Sequence, residues 1–196
     1  MITLRELKMK DAPLMLEWMH DPDIQKCFKK NMLDTTLEEA KKFCAVSKIP
    51  NRVKQGDTLH FAIVDENDEY LGTISLKNID LENQSAEYAI TTRKKIHGCG
   101  IAKRATGLLL KKAFREYKLH RVYLNVLADN ESAIKLYERC GFKYEGEFRD
   151  HLNIGGKYMN WKWYGLLENE YNEKMFGGGI ASRLYDILNH SERMVA

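Results

Sequence analysis

The sequence predicts an α/β domain of the α+β type, built on a mostly antiparallel sheet. Apolar and polar residues alternate through residues 60–64, 70–76 and 85–92, and only short turns separate these three segments. Short turns are typical of antiparallel strands, because parallel strands need a long crossover. A helical pattern follows over residues 101–117. With 44% hydrophobic residues in a chain of 196, a substantial core can be buried.

Four further strands and three further helices complete the predicted order. The strands cover residues 2–7, 121–127, 142–148 and 158–166, and the helices cover 11–20, 36–45 and 130–139. Polar residues able to cap these helices stand at their starts, namely Asp11, Thr35 or Thr36, and Asp129 or Asn130. The total is seven strands and four helices.

Further sequence signals indicate where strands and helices end and how they are connected. Asp21-Pro22-Asp23 is expected to end the first helix, and residues 78–83 are expected to form a turn. Gly72 inside its strand indicates a bulge or a close backbone approach. Gly141 stands where a left-handed cap would end the last helix.

Composition narrows the function classes. The net charge is only +3 and the lysines are scattered among acids, which argues against nucleic acid as a partner. Apolar stretches are too short to span a bilayer, and the N-terminus lacks a signal-peptide core, so we expect a cytoplasmic protein that binds no membrane. The four cysteines form no C-x-x-C pair and the six histidines stand far apart. We therefore expect reduced thiols and no metal site.

The stretch RKKIHGCGIAKRATG, residues 93–107, is the main functional candidate. Gly98 and Gly100 free the backbone so that amides can converge on a ligand, and the following helix adds unpaired N–H groups and a positive dipole end. Together they predict a phosphate cradle. The alternative is a surface turn in which the glycines only permit a tight bend. Cys99 with His97 as its base is a further alternative, a nucleophilic thiol.

Two nucleotide-binding motifs are excluded by spacing. A Walker loop needs G-x-x-x-x-G-K-S/T, and a dinucleotide fingerprint needs a third glycine within a parallel βαβ unit. The turn instead resembles the acetyl-CoA site of the GNAT N-acetyltransferases, whose pattern is Arg or Gln, two residues, then Gly-x-Gly or Gly-x-Ala. Lys95 holds the Arg/Gln position, which keeps the charge but changes its geometry.

A second segment strengthens the resemblance. Residues 130–142, NESAIKLYERCGF, are similar to the family's Asn…Ala-Ile…Tyr…Gly-Phe segment, and Tyr-Glu-Gly follows at 144–146. That ending is similar to the one found in the branch that acetylates ribosomal-protein N-termini and polyamines. Residues 72–80 and 167–171 look like segments of acetyltransferases acting on nucleotide-linked amino sugars. The resemblance covers residues 3–167. It implies a splayed mixed sheet of six to seven strands flanked by about four helices, and acetyl-CoA as co-substrate without a metal.

The resemblance also implies roles for individual residues. The pantetheine arm would pair with backbone near residues 89–91, and Asn130 would contact CoA or serve only as a helix cap. Lys95, Lys103 or Arg104 would reach the phosphates. The implied cofactor-binding set is Ile90, Thr91, Lys95, His97, Gly98, Cys99, Gly100, Ile101, Ala102, Lys103 and Asn130.

Two residues are the catalytic candidates. By resemblance, Tyr137 is the general acid for the departing thiolate; the alternative is core packing. An ammonium with a pKa near 10 costs roughly 4 kcal/mol to deprotonate at pH 7, so a base would help. Glu87 is the candidate base, with a solvated strand carboxylate as the alternative. His151, Glu145 or no base at all remain open.

The acceptor amine is less determined. The expected pocket comprises Trp18, His20, Gln25, Phe28, Lys29, Lys30, His151, Tyr158 and Trp161. Lys29, Lys30 and Arg52 favour an anionic acceptor, so a nucleotide-linked amino sugar is preferred over a protein N-terminus, a polyamine or an antibiotic amine. A non-catalytic acyl-CoA-binding module is the alternative from another class.

The expected domain boundary lies at residue 170. Residues 1–170 form the acetyltransferase domain, and residues 171–196 form an extension with a glycine-rich joint and an amphipathic helical pattern. Nothing in the pattern decides between a monomer and a homodimer.

Overall fold

Seven strands form one mixed sheet in the computed structural model, which describes residues 1–26, 28 and 31–176. The strands are β1 (Ile2–Glu6), β2 (Leu59–Asp65), β3 (Tyr70–Asp80), β4 (Ser85–Thr92), β5 (Arg121–Leu127), β6 (Lys143–Ile154) and β7 (Lys157–Leu167). Their order is β1-β2-β3-β4-β5-β7-β6. Only the β4–β5 pair is parallel. The predicted mostly antiparallel mixed sheet is confirmed.

Helices cover both faces of this sheet. In the described part of the chain they are α1 (Ala12–Met19), α2 (Pro22–Gln25), α3 (Leu37–Val46), α4 (Ile101–Lys111) and α5 (Glu131–Arg139). Residues of a strand alternate between faces, so Ala62 of β2 joins the core beneath α1 and α3, whereas its neighbours Phe61 and Ile63 join the core beneath α4 and α5. Because successive strand residues point to opposite faces, both faces of the sheet are apolar and covered by helices, which makes three layers.

The sheet splits between β4 and β5. These strands pair only through Ser85–Arg121, Ala86–Val122 and Glu87–Tyr123. Beyond Glu87, β4 continues to Thr92 beside β3, and β5 continues to Leu127 beside β7. One backbone edge of β4 therefore faces a gap, which confirms the splayed sheet that the resemblance implied.

Two expectations about the first helices were incomplete. Asp11 does not cap α1, because its carboxylate accepts the Lys8 amide at 2.8 Å and two bonds from the Arg5 guanidinium. Asp21-Pro22 ends α1 as expected but also starts α2, since the Asp21 carboxylate accepts the amide of Asp23 at 2.8 Å. Proline at the first helical position is compatible with that start.

Three strands are longer than predicted. β3 runs to Asp80, so the expected turn at 78–83 shortens to 81–84, because Asn78 takes a positive φ of 51° and pairing resumes at Asp80. β6 and β7 extend to a hairpin at Gly155-Gly156, where φ is 60° and 86°. A bulge in β6 between Phe148 and Leu152 interrupts the alternation there.

Several local predictions are confirmed. Thr36 caps α3 in a capping box with Glu39, and Asn130 caps α5 by accepting the Ala133 amide. Gly141 has a φ of 91° at the end of α5. A Cβ at Gly72 would lie 2.5 Å from the Thr91 carbonyl oxygen, which is the close backbone approach expected there.

Tyr171 and Phe176 pack on α4. Tyr171 is buried, its ring lies 5.1 Å from that of Phe114, and its hydroxyl donates to the Gly107 carbonyl at 3.3 Å. Phe176 fills the space that a side chain at Gly107 would occupy. The extension expected from residue 171 is therefore attached to the body up to Phe176; its glycine joint and helical pattern, 177–196, lie outside the described residues.

Gly107→Ala is expected to lower the free energy of unfolding by about 1–3 kcal/mol. The new Cβ would lie 2.4 Å from Phe176 Cγ, and this clash outweighs the gain of about 1 kcal/mol in helix propensity. Urea unfolding measures the effect. In a Phe176→Ala background the same change should be neutral or stabilising, and an equal loss in both backgrounds would contradict the packing explanation.

Candidate active site

The turn between β4 and α4 presents free amides at a helix start. Gly98 and Gly100 have φ of 77° and 71°, and a Cβ at either would meet nothing within 4 Å. The amides of His97 and Cys99 bond within the turn, to Lys94 and Ile96 carbonyls. Within residues 98–103, the amides of Gly98, Gly100, Ile101, Ala102 and Lys103 have no acceptor among the described residues. This open concavity, with a helix dipole behind it, suits an anion.

Arg93 holds this turn in place. Its guanidinium is buried and bonds both carboxylate oxygens of Glu17 on α1, at 2.7 and 2.8 Å. It also bonds Glu69 and the Tyr70 carbonyl. Arg93 therefore fixes the turn against two other elements. In the sequence, Arg93 stands out only as part of a basic run.

The remaining cations of the turn differ in availability. Lys95 is paired with Glu69, and this pairing, together with Arg93, lowers the pKa of the Glu69 carboxyl. Lys94 pairs with Asp23 at 3.2 Å. Lys103 and Arg104 have no ion-pair partner within the described residues. Of the predicted phosphate-binding cations, Lys103 and Arg104 are thus accessible. Lys95 would have to break its ion pair with Glu69 before it could bind a phosphate.

The thiol in the turn contacts a backbone carbonyl. Cys99 is exposed, and its Sγ lies 3.7 Å from the carbonyl oxygen of His97. The alternative of a nucleophilic Cys99 activated by His97 gains no support from this geometry.

Tyr137 lies inside the molecule beneath the sheet. It is buried, with its ring edge-on to Tyr88 at 5.8 Å and near Phe142 at 6.1 Å. Tyr88 in turn bonds Thr106 of α4 at 2.7 Å, and burial raises the pKa of the Tyr88 hydroxyl well above its usual value. Tyr137 therefore packs on Tyr88 of β4, the strand that borders the gap, and Tyr88 in turn is bonded to the helix that carries the open amides.

Glu87 lies at the last rung before the gap, beside Tyr123. Its carboxylate pairs with Lys77 at 2.5 Å and accepts the Asn78 side-chain amide at 3.1 Å. The candidate base is therefore near the split but engaged with two neighbours. Ile90 and Thr91 follow on the strand edge, in register with Ile74 and Thr73 of β3.

An aromatic surface covers the face of β5, β7 and β6 that carries Tyr123. It consists of Tyr123, Phe148, His151, Trp161 and Trp163, with ring centroids 5.1–5.9 Å apart. The Trp163 indole N–H is buried and has no hydrogen-bond partner among the described residues. His151 and Trp161 were predicted site residues, whereas Trp163 was not, although its spacing of two from Trp161 along a strand indicates the same face.

Two clefts flank the loop around Asn31. The first, of about 290 Å³, is lined by Met19, Asn31, Met32, Asp34, Thr35, Glu39, Ala40 and Phe43. The second, of about 350 Å³, is lined by Pro22, Gln25, Lys26, Phe28, Asn31, Leu33, Asn153, Ile154 and Gly155. The first cleft combines carboxylates with methionines and a phenylalanine.

The residues expected to line an acceptor pocket are distributed unequally. Gln25 and Phe28 do line the second cleft. Trp18 instead is buried and donates to the Tyr70 hydroxyl at 2.9 Å, and His20 bonds the Thr35 carbonyl. Tyr158 is 62% exposed on the β6–β7 hairpin. Lys29 and Lys30, two of the three cations from which an anionic acceptor was expected, lie outside the described residues, and the third, Arg52, lines neither cleft.

Neither a metal centre nor a membrane span is found in the described residues. No group of three or more His, Cys, Asp or Glu side chains there could hold a metal ion. No helix in that part of the chain is long and apolar enough to cross a membrane.

Comparison with known proteins identifies the relatives of this chain. A family model described as an acetyltransferase (GNAT) domain matches residues 1–143. A spermidine N(1)-acetyltransferase of Vibrio cholerae is 27% identical over 172 residues, 87% of this chain and 95% of that protein. A putative ribosomal N-acetyltransferase of Bacillus subtilis is 37% identical over 100 residues, 51% of this chain and 55% of that protein.

A solved structure has the same fold. The crystal structure of spermidine N-acetyltransferase from Vibrio cholerae in complex with CoA and spermine superposes with a TM-score of 0.76 at 25% identity. The match covers 87% of this chain and 97% of that one.

Proposed function

The chain belongs to the GNAT family of acetyltransferases, and from that membership we propose that it moves an acetyl group from acetyl-CoA to a primary amine of a small aliphatic polyamine. Transfer is direct, within a complex of both substrates. The observation that carries the donor half is the set of open amides at the start of α4. The acceptor half rests on the acidic and apolar lining of the first cleft and on the spermidine-acetylating relative.

In the proposed donor site, the amides of Gly98, Gly100, Ile101 and Ala102 bind the CoA pyrophosphate, with Lys103 and Arg104 beside it. The pantetheine arm enters the gap and pairs with the free backbone edge of β4 near Ile90 and Thr91, as an added strand would. Its thioester then lies near Glu87, where β4 and β5 separate. Asn130 caps α5 and can contact CoA from there.

If Lys95 also binds phosphate, Glu69→Gln should tighten acetyl-CoA binding about twofold to threefold. Removing the carboxylate charge releases Lys95 from its present partner, and an exposed pair contributes roughly 0.2–1 kcal/mol. Calorimetric titration with acetyl-CoA measures the change. Lys95→Met should abolish the gain in the double variant, and a gain that survives Lys95→Met would exclude Lys95 as a phosphate ligand.

In the proposed reaction, the amine nitrogen attacks the thioester carbon and the CoA thiolate leaves. Tyr137 protonates or steadies the thiolate. Glu87 remains the candidate base, although its carboxylate must first give up Lys77 or Asn78. Since an aliphatic ammonium must lose a proton before it attacks, the base matters most for the acceptors with the highest pKa.

The first cleft supports an aliphatic cation as acceptor. Asp34 and Glu39 supply negative charge, while Met19, Met32 and Phe43 supply apolar surface. Methylene chains carrying ammonium groups match that combination, because the chain is buried and the charge is neutralised. The amino-sugar hypothesis was based on Lys29, Lys30 and Arg52 and on the likeness of residues 72–80 and 167–171 to amino-sugar acetyltransferases, and the described lining does not add to it. A protein N-terminus is the second candidate, supported by the ribosomal N-acetyltransferase relative.

A panel of amines tests the proposal through thiol release from acetyl-CoA. It contains spermidine and spermine, short peptides with free N-termini, and UDP-linked amino sugars. Thiol release with the polyamines supports the proposal. Preferential release with a peptide or a sugar would show that the acceptor is of that class and not a polyamine. CoA binding without release on any amine would instead favour a non-catalytic module. Asp34→Asn should raise KM for spermidine, whereas Glu38→Gln, which lies outside the cleft lining, should not.

A further inference from the structure

His60 and Ser75 form a hydrogen-bonded pair between the first cleft and β4, the strand along which the pantetheine arm is proposed to bind. His60 Nδ1 lies 2.7 Å from Ser75 Oγ. Ser75 is buried, 4% exposed, and His60 is half-buried. On the other side, the His60 ring lies 4.9 Å from the ring of Phe43, which lines the first cleft. No role in the reaction proposed above uses this pair.

The strand register connects the pair to the gap. His60 of β2 is opposite Ser75 of β3, and Ser75 is opposite Ala89 of β4. Residues directly opposite in a sheet share a face, so all three lie on the face that also carries Glu87. With strands about 4.8 Å apart, Ser75 is one strand and His60 two strands from the edge that borders the gap.

The surroundings keep the imidazole unprotonated. Burial, and then the nearby Lys77, lower the pKa of His60 below its usual value, so the ring is neutral at pH 7. Lys77 of β3 pairs in turn with Glu87 of β4, and the ring of Phe43 from α3 lies beside the imidazole. Because Glu87 is engaged by Lys77 and Asn78, the neutral imidazole on the same face offers a second proton acceptor.

We propose that Ser75 and His60 are the path by which the acceptor amine loses its proton. The ammonium gives a proton, directly or through one water, to Ser75 Oγ, while the Ser75 hydroxyl proton passes to His60 Nδ1. The resulting imidazolium releases a proton from Nε2 to solvent, which the half-buried ring can reach. The freed amine then attacks the thioester carbon, and Tyr137 protonates or stabilises the leaving thiolate. This role rests on the proposed transfer to an amine and adds to it the route of the proton.

The test compares acceptors of different basicity in the full-length protein. His60→Gln and Ser75→Ala should each lower kcat/KM for spermidine at pH 7 about 100-fold, with unchanged affinity for acetyl-CoA. The loss should shrink to less than about fivefold for an amine with a pKa near 8, such as glycinamide or hydrazine, because about one molecule in ten is then already deprotonated at pH 7. His120→Gln, at an exposed histidine before β5, is the matched control.

The outcomes of this test distinguish the proposed proton path from the proposed acetyl transfer. An equal loss with strongly and weakly basic amines would show that the pair is only structural and would overturn the proton path. Unchanged kcat/KM for spermidine in both variants would overturn it as well. A wild-type protein that acetylates no amine of the panel contradicts the proposed function first and removes the path with it. Using two variants guards against misfolding of either, since Ser75→Ala removes only one oxygen atom.

Discussion

Tyr137→Phe is expected to lower kcat about 100-fold while leaving the Kd for acetyl-CoA within a factor of two. The change removes only the hydroxyl, and the ring keeps its edge-on contacts with Tyr88 and Phe142. A general acid typically contributes 10²–10⁴-fold, so about 100-fold is a conservative expectation. Steady-state kinetics with a saturating amine and calorimetric titration of acetyl-CoA measure the two quantities.

Tyr144→Phe is the matched control for this variant. Tyr144 is 54% exposed on β6, so it loses a hydroxyl without a proposed role in the reaction. Equal activity of Tyr137→Phe and the wild type would reject Tyr137 as the acid and leave its ring as core packing. A loss confined to acetyl-CoA binding would also reject it, because the hydroxyl would then hold the donor.

The second large effect is expected at the turn. Gly100→Leu should weaken acetyl-CoA binding about 30-fold, since it blocks amides whose charge-assisted hydrogen bonds contribute about 1.5–3 kcal/mol each. The side chain would project into the open space over the turn, where a Cβ meets nothing within 4 Å. Fluorescence or calorimetric titration with CoA provides the Kd.

Gly56→Leu separates this blockage from backbone strain. Gly56 has a φ of 82° and equally open surroundings but lies in the loop before β2. Both variants force a leucine into a left-handed conformation, at about 1–2 kcal/mol of stability. Only Gly100→Leu should also weaken CoA binding. If the two variants bind CoA with the same affinity as the wild type, the turn does not form the pyrophosphate site.

Much of the local structure could be predicted because its causes are local. The bounds of β4 and β5 were predicted to the residue, since uninterrupted alternation ends at turn residues. Gly98, Gly100 and Gly141 take the positive φ that glycine permits most readily. Predictions were incomplete where one residue breaks the period: Asn78 in β3 and Asp150 in β6 both have positive φ inside pairing strands.

Parts of the site could not be predicted because their partners are distant in the chain. Arg93 bonds Glu17 and Glu69, which are 76 and 24 residues away. Nothing in the local pattern around Arg93 distinguishes such a buried hub from an exposed basic residue. The engagement of Glu87 by Lys77 likewise depends on the register of β3 and β4.

By itself, the sequence determined the family, the glycine turn and the element order, because periodicity, caps and glycine positions act over a few residues. Only the tertiary structure decided which groups are free to act. It engages Lys95 and Glu87 in ion pairs, leaves the amides at the start of α4 open, and places His60 beside Ser75. The physical reason is that charge pairing and burial depend on which strands and helices become neighbours, and those contacts join residues far apart in the chain.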